Sequence, residues 1–116
     1  MITKIKEFTE DGILFEEGSK LESYHQSDCC EHHWLDFSNI KNDGDYKDLE
    51  FNLSNDLFFT RIEDYGIELI PLKGFPLRIP GYGSNNGYYS SNLSLILTTK
   101  NGQKTYDISE CQVISY

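Results

Sequence analysis

The stretch that decides the fold is Leu93-Ser94-Leu95-Ile96-Leu97-Thr98-Thr99-Lys100-Asn101-Gly102-Gln103-Lys104-Thr105-Tyr106-Asp107-Ile108. Two β-type runs flank Asn101-Gly102, the preferred pair for a type I′ hairpin, because both central residues of that turn adopt positive φ. A two-residue loop there predicts the cross-strand pairs Leu97–Tyr106, Leu95–Ile108, Ser94–Ser109 and Thr98–Thr105. The hairpin therefore has one apolar core face and one face that is mostly exposed to solvent.

A second hairpin is predicted around Gly18, between residues 13 and 24. A two-residue loop at Glu17-Gly18 would set Phe15 against Lys20. A three-residue loop with Gly18 in the left-handed region instead pairs Ile13 with Leu21 and keeps Phe15 on that same face. The hydrophobic pattern therefore favours the longer loop with its bulge.

The remaining segments are assigned more coarsely. Residues 2–8 are expected to form an edge strand, and residues 34–40 either a strand or one short helical turn. Residues 51–62 are strand-like, and residues 67–72 form a strand that Pro71 directs to a sheet edge or a bulge. Because prolines interrupt ladder pairing, residues 74–80 are expected to be an extended crossing segment that leads into a loop over residues 81–92.

The composition indicates one mainly β domain over residues 1–116. The chain contains no alanine, the best helix former, but has eight tyrosines and nine glycines, which suit strands and tight turns. A chain of 116 residues can bury one core and is too short for two. We predict a single small antiparallel sheet curled into a sandwich or partial barrel, with at most one short helix.

The net charge of −9 arises entirely in the first half of the chain. Residues 1–56 contain 5 basic and 14 acidic residues, whereas residues 57–116 contain 5 of each. Such a surface repels phosphate backbones, so no direct binding of nucleic acid is expected. It would attract a basic protein surface instead, although the same acids could simply solvate a small domain.

The sequence begins without a charged and apolar leader, and no run approaches the roughly 18 apolar residues of a membrane span. A cytoplasmic protein without a membrane partner is therefore expected. Its three cysteines, two of them adjacent, do not resemble the even, spaced framework of a secreted disulfide scaffold. Reduced thiols are the corresponding expectation.

Residues 24–34 hold all three histidines, two of the three cysteines and the only tryptophan. The candidate ligands for a zinc ion are His25, Cys29, Cys30, His32 and His33. Their crowding within one short segment argues against a complete site, because neighbouring side chains of a strand point to opposite faces. The preferred interpretation is a cysteine packed in the core, histidines at the rim and no cofactor. Zinc binding, or a cysteine nucleophile activated by histidine, is the alternative.

Residues 81–92 are rich in glycine, asparagine and tyrosine. The glycine spacing does not match a phosphate-binding loop, whereas the composition resembles that of binding loops, in which tyrosine supplies rigid contact area. A long hairpin turn whose tyrosines pack back on the sheet is the alternative. With two acids from the turn-rich segment 42–48, the candidate binding residues are Tyr82, Asn85, Asn86, Tyr88, Tyr89, Asp43 and Asp45.

Two segments carry a resemblance, Asp28-Cys29-Cys30-Glu31 and Asn86-Gly87-Tyr88-Tyr89-Ser90. Together with residues 11–21 they resemble an uncharacterised family of small domains found in bacteriophages and in bacteria that carry phage remnants. The doubled His32-His33 departs from the family pattern. Because that family has no settled activity, the resemblance implies a phage or prophage setting and no catalytic residue.

These observations predict a non-enzymatic binding module of phage or mobile-element type. It would act on a host protein with a basic surface, such as a component of host defence, through the acidic first half and the tyrosine-rich loop. The alternatives are a small metal- or thiol-dependent protein centred on the His-Cys-Cys-His segment and a purely structural subunit. The binding hypothesis requires residues 25–33 and 83–89 to lie in contact.

Overall fold

The computed structural model describes residues 2–26, 32–40, 46–84 and 92–115. Within these ranges the chain forms eleven strands and three short 3-10 helices. The strands are β1 (Ile2–Phe8), β2 (Gly12–Phe15), β3 (Lys20–Tyr24), β4 (His32–Leu35), β5 (Glu50–Asn52), β6 (Phe59–Ile62), β7 (Gly66–Leu69), β8 (Leu77–Ser84), β9 (Ser94–Thr99), β10 (Gly102–Asp107) and β11 (Val113–Ser115). The 3-10 helices are η1 (Phe37–Ile40), η2 (Tyr46–Asp48) and η3 (Asp56–Phe58).

The strands form two sheets, and the predicted mainly β class is confirmed. The first is a curled antiparallel sheet with the order β10-β9-β3-β2-β1-β5. The second has the order β11-β8-β7-β6, with β4 also pairing with β8. The β8–β11 pair is parallel, which the expectation of a single antiparallel sheet did not include.

One continuous core draws on both sheets. Alternate residues of the strands point inward, so that Leu95 and Leu97 of β9 are buried with Ile67 and Leu69 of β7. Burying a side chain of this size stabilises the fold by about 1.5–3 kcal/mol.

The N-terminal strand departs from strict alternation. Ile5 and Phe8 are both buried although they are three residues apart, because the pairing of β1 with β2 contains a register shift between Ile5 and Glu7. A bulge of this kind turns the following side chains to the other face. The prediction of an edge strand was wrong, since β1 lies between β2 and the short β5.

The β2–β3 hairpin confirms the longer predicted loop. Ile13 pairs with Leu21, and the N–H of Phe15 donates to the carbonyl of Ser19 at 2.9 Å across three loop residues. Gly18 has a φ of 105°, a conformation that only glycine adopts without strain.

The segment around Pro80 was predicted wrongly. Residues 77–84 form β8, the central strand of the second sheet, rather than an unpaired crossing. Gly66 of β7 lies opposite Pro80, and the Gly81 N–H donates to the Tyr65 carbonyl at 2.6 Å. Since the ladder bond is made by these neighbouring residues, Gly66 and Pro80 form a pair that exchanges no hydrogen bonds. The missing N–H of proline therefore costs no bond to β7, and the Pro80 carbonyl accepts from the Asp36 N–H at 2.8 Å on the opposite side.

Candidate functional site

The sequence placed the functional site where residues 25–33 meet residues 83–89, and the described ends of both segments do lie in contact. Strands β4 and β8 pair antiparallel, with His32 opposite Ser84, His33 opposite Gly83 and Trp34 opposite Tyr82. The predicted contact is therefore confirmed for these residues. Six further candidates, Cys29, Cys30, Asn85, Asn86, Tyr88 and Tyr89, lie outside the described residues, as do Asp43 and Asp45.

His33 is buried on the inner face of β4 and is only 5% exposed. Its Nδ1 lies 2.6 Å from Oε1 of Gln112, while Nε2 of Gln112 donates to the Ser109 carbonyl at 2.8 Å. This second bond orients the amide so that its oxygen faces the histidine. Nδ1 of His33 is therefore the donor in this hydrogen bond.

The His33–Gln112 hydrogen bond passes over the bare backbone of β8. A Cβ at Gly83 would lie 2.3 Å from Nδ1 of His33 and 2.7 Å from Oε1 of Gln112, and one at Gly81 would lie 2.4 Å from the Cys111 carbonyl. Both glycines leave room on the inner face for groups from β4 on one side and from residues 111–112, just before β11, on the other. The Gly81-Tyr82-Gly83 alternation is thus a feature of a strand, whereas the sequence suggested a loop.

His25 joins His33 at this end of the molecule. The two rings are in edge contact, with centroids 4.5 Å apart and an interplanar angle of 65°. Nδ1 of His25 lies 2.6 Å from the Asn92 carbonyl oxygen, so this nitrogen also carries the proton. His32 is exposed on the opposite face of β4, and the structure therefore brings together two of the three candidate histidines.

This pair has the chemistry of potential metal ligands. A histidine that binds a metal through one nitrogen usually donates its other N–H to a carbonyl or carboxylate, which fixes the ring, and both histidines make such a bond. Across the ranges that the structure describes, no group of three His, Cys, Asp or Glu side chains is positioned to hold an ion.

Cys111, the remaining cysteine, is buried in the core. Burial first, and then the Glu110 carboxylate, raise the pKa of its thiol to about 11. A thiol of this kind stays protonated at neutral pH, which makes it a poor nucleophile.

The outer face of the second sheet carries an apolar row that we call the aromatic row, formed by the exposed Trp34 and Val113 and, between them, the half-buried Tyr82. Tyr82 of β8 pairs with Trp34 of β4 on one side and with Val113 of β11 on the other. Trp34 is 43% and Val113 52% exposed. The Trp34 and Tyr82 rings lie 5.9 Å apart at an angle of 43°.

Only Tyr82 of the aromatic row was among the sequence candidates. The neighbouring polar row on this face consists of His32, Ser84 and Ser115, which follow from the same registers. Trp34 could have been found from the alternation in β4, where His33 and Leu35 are buried while His32 and Trp34 are exposed. Val113 had no such signal, because its position depends on a parallel pair formed between residues far apart in sequence.

Some of the acidic residues of the first half lie on the first sheet. Glu16 and Glu17 of the β2–β3 turn and Glu50 of β5 line an open groove of about 390 Å³ together with Lys4. These three acids and the aromatic row belong to different sheets, whereas the candidate acids Asp43 and Asp45 lie outside the described residues.

Comparison with known proteins adds no relative. The chain matches no protein-family model, no curated protein and no solved structure. The resemblance to phage-associated domains therefore stays a prediction from the sequence, and the function has to be inferred from the geometry.

Proposed function

We propose that this protein is a non-enzymatic binding module that docks on a protein partner through the aromatic row of Trp34, Tyr82 and Val113. One observation carries the proposal: exposed Trp34 and Val113 flank the half-buried Tyr82 ring on a paired sheet, so that three apolar side chains lie side by side. Singly exposed apolar side chains are common, but a contiguous exposed group is a feature of interaction sites.

The energetics of binding favour this surface. Tryptophan and tyrosine are enriched among the few interface residues that contribute most of the binding free energy. Both side chains have only two rotatable bonds, and here the backbone beneath them is fixed by pairing on both sides of β8. Little conformational entropy is therefore lost when a partner covers them.

The charge of the chain favours a basic partner. A net charge of −9 speeds association with a positively charged protein and disfavours nucleic acid, whose phosphates it repels. With the phage setting that the sequence resemblance implies, the proposed partner is a basic host protein in the bacterial cytoplasm.

Within the described ranges, no helix is long and apolar enough to span a bilayer.

The test is capture of a partner followed by measurement with matched variants. The immobilised protein is exposed to bacterial lysate, the retained protein is identified and purified, and its Kd is measured by calorimetry. Trp34→Ala is expected to weaken binding about tenfold or more, equivalent to about 1.4 kcal/mol, as for a central interface residue.

The matched control is Leu57→Ala, which removes an apolar side chain that is 75% exposed but lies in η3, outside the aromatic row. We expect this variant to bind as tightly as the parent protein. Failure to capture a specific partner, or equal Kd values for Trp34→Ala and the parent protein, would contradict the proposal.

A second candidate function, metal binding, is supported by the His25–His33 pair and its two Nδ1 hydrogen bonds to carbonyl oxygens. Protein purified without a tag should then contain zinc in near-stoichiometric amount. His25→Gln should lose the metal, whereas His32→Gln, on the opposite face of β4, should keep it. A zinc content below about one-tenth equivalent per protein chain would refute this metal site. Equal loss of zinc from the His25→Gln and His32→Gln variants would also refute it.

A further inference from the structure

The aromatic row ends at a groove that has a carboxylate in its wall. Asp64, Gln112, Val113 and Ile114 line this groove, which has a volume of about 370 Å³. Since Val113 lies beside Tyr82 in the parallel β8–β11 pair, the groove continues directly from the aromatic row. An apolar surface and an acidic group therefore adjoin at one end of the proposed binding surface.

Asp64 differs in its charge environment from two other carboxylates of this part of the molecule. Glu68 is paired with Arg78 at 3.0 Å, and Glu110 lies 3.9 Å from Arg61. By contrast, no lysine or arginine of the described residues lies within ion-pair distance of Asp64. Because Asp64 is exposed, its carboxylate is accessible to a cationic group of another molecule.

The backbone holds Asp64 in a defined position. Its φ is 59°, a left-handed conformation that aspartate and asparagine tolerate better than other side chains. Its N–H donates to the Glu110 carbonyl at 2.9 Å, which ties the β6–β7 turn to the segment leading into β11. The carboxylate is therefore presented from a fixed backbone position beside Val113.

We infer that this groove receives an arginine side chain of the partner; the inference rests on the proposed binding function and identifies the group recognised. The guanidinium would bind the Asp64 carboxylate through paired hydrogen bonds. The methylene stem would lie against Val113, and the cation would approach the Tyr82 ring.

The chain itself contains arginine–aromatic contacts in this region. The Arg78 guanidinium lies 5.8 Å from the centroid of the Tyr65 ring, and Arg61 lies 5.3 Å from that of Phe59. The net charge of −9 is complementary to an arginine-bearing surface. An arginine side chain offers paired donors to the carboxylate and a methylene stem to the methyl groups, and its planar fork fits a carboxylate better than the ammonium group of lysine does.

The probe is the blocked tripeptide acetyl-Gly-Arg-Gly-amide, titrated into the ¹⁵N-labelled protein and followed by NMR. Binding with a Kd on the order of millimolar is expected for one side chain, with amide shifts at Asp64, Val113 and Ile114. The same peptide with citrulline, which keeps the shape but lacks the charge, should bind at least about fivefold more weakly.

Asp64→Asn is the test variant, since asparagine keeps both the size of the side chain and the tolerance for positive φ. It should weaken binding of the arginine peptide about fivefold or more. Asp11→Asn, which changes the net charge equally at an exposed position in the β1–β2 turn, should leave binding unchanged. Equal effects of the two variants, equal binding of citrulline, or shifts confined to other surfaces would overturn the inference.

The outcomes also separate this inference from the proposed function. If a captured partner loses affinity with Trp34→Ala but not with Asp64→Asn, the aromatic row stands as a binding surface and the arginine groove does not. If the groove shifts instead depend on protein concentration and light scattering gives the mass of a dimer, a second copy occupies the groove and the inference is overturned.

Discussion

At the scale of single residues, the described part of the site depends on the absence of side chains at Gly81 and Gly83. His33 and Gln112 approach β8 from its two sides and meet at 2.6 Å above Gly83. A side chain there would occupy the space of that hydrogen bond. Glycine is therefore required at position 83 because a Cβ would collide with its neighbours. The backbone does not require it, since φ of Gly83 is not positive.

Gly83→Ala is expected to destabilise the protein by about 1–3 kcal/mol, the usual cost of overpacking a buried position. The neighbouring groups cannot easily move, because His33 is buried and hydrogen-bonded to Gln112. Urea denaturation followed by tryptophan fluorescence measures the change in the free energy of unfolding.

Two controls accompany this variant. Ser84→Ala, at the next and exposed position of β8, should change stability by less than about 0.5 kcal/mol. When His33 is already replaced by alanine, Gly83→Ala should cost less, because the ring is gone and the remaining close atom, Oε1 of Gln112 at 2.7 Å, has lost its hydrogen-bond partner and can move. Equal costs of Gly83→Ala with and without His33 would contradict the steric explanation.

At the scale of elements, the β9–β10 hairpin has a register that differs from the predicted one by two residues. Tyr106 pairs with Leu95 and Lys104 with Leu97, where the sequence predicted Leu97 opposite Tyr106. A shift of two keeps every side chain on its face, because the side-chain period of a strand is two. The predicted core face, with Leu95 and Leu97 buried, is therefore correct although the pairs are not.

The turn chemistry explains the shift. Gly102 has a φ of 123° but Asn101 is not among the residues with positive φ, so the type I′ turn predicted at this pair does not form. Instead, the Asn101 N–H donates to the Thr99 hydroxyl at 3.2 Å, and Gly102 pairs with Thr99. A threonine side chain that binds the backbone two residues onward mimics part of a turn, and this moves the loop to Lys100-Asn101.

Gly102→Ala is expected to cost about 1–2 kcal/mol, because a residue with a Cβ is strained at this φ. A Cβ at this position would meet no atom within 4 Å, so the cost is conformational and unlike the steric cost at Gly83. Lys100→Ala in the same turn is the control and should be nearly neutral in thermal denaturation. A neutral Gly102→Ala would show that the turn relaxes to another conformation.

At the scale of the whole molecule, Tyr106 joins the two sheets. It belongs to β10 of the first sheet, and its ring lies 5.0 Å from that of Phe59 in β6 of the second. Its hydroxyl donates to Oδ1 of Asp56 at 2.7 Å. Burial first, and then the Asp56 carboxylate, raise the pKa of Tyr106 to about 12, while the same hydrogen bond and the Lys104 charge lower the pKa of Asp56.

The raised pKa predicts a loss of stability in alkali. The folded state holds the Tyr106 proton more tightly than the unfolded chain, so this contribution is complete below pH 10, the ordinary value, and is lost as the pH rises to about 12. Asp56→Asn should lower the pKa of Tyr106 without returning it to 10, because burial remains. NMR of ¹³C-labelled tyrosine measures this titration.

Asp48→Asn, which removes an exposed carboxylate from η2, is the matched control and should leave the titration of Tyr106 unchanged. If the Asp56 and Asp48 variants shifted the Tyr106 pKa equally, the effect would be one of net charge, and the direct hydrogen bond to Asp56 would not account for it.

Local sequence was sufficient for the class of fold, for the Gly18 hairpin and for which face of β9 is buried. Each of these depends on residues within a few positions of each other, where side-chain period and turn preferences act directly. The contact of His32 and His33 with Ser84 and Gly83 agrees with what the binding hypothesis required, although it follows from no local rule.

Only the tertiary structure decided the features that depend on contacts between residues far apart in the chain. The parallel β8–β11 pair places Val113 beside Tyr82, and the crossing of His33 and Gln112 requires Gly83 to lack a side chain. Pro80 fits a central strand only because its partner in β7 needs no bond from it. Such pairings are selected by packing of the complete core, and no short stretch of sequence contains that information.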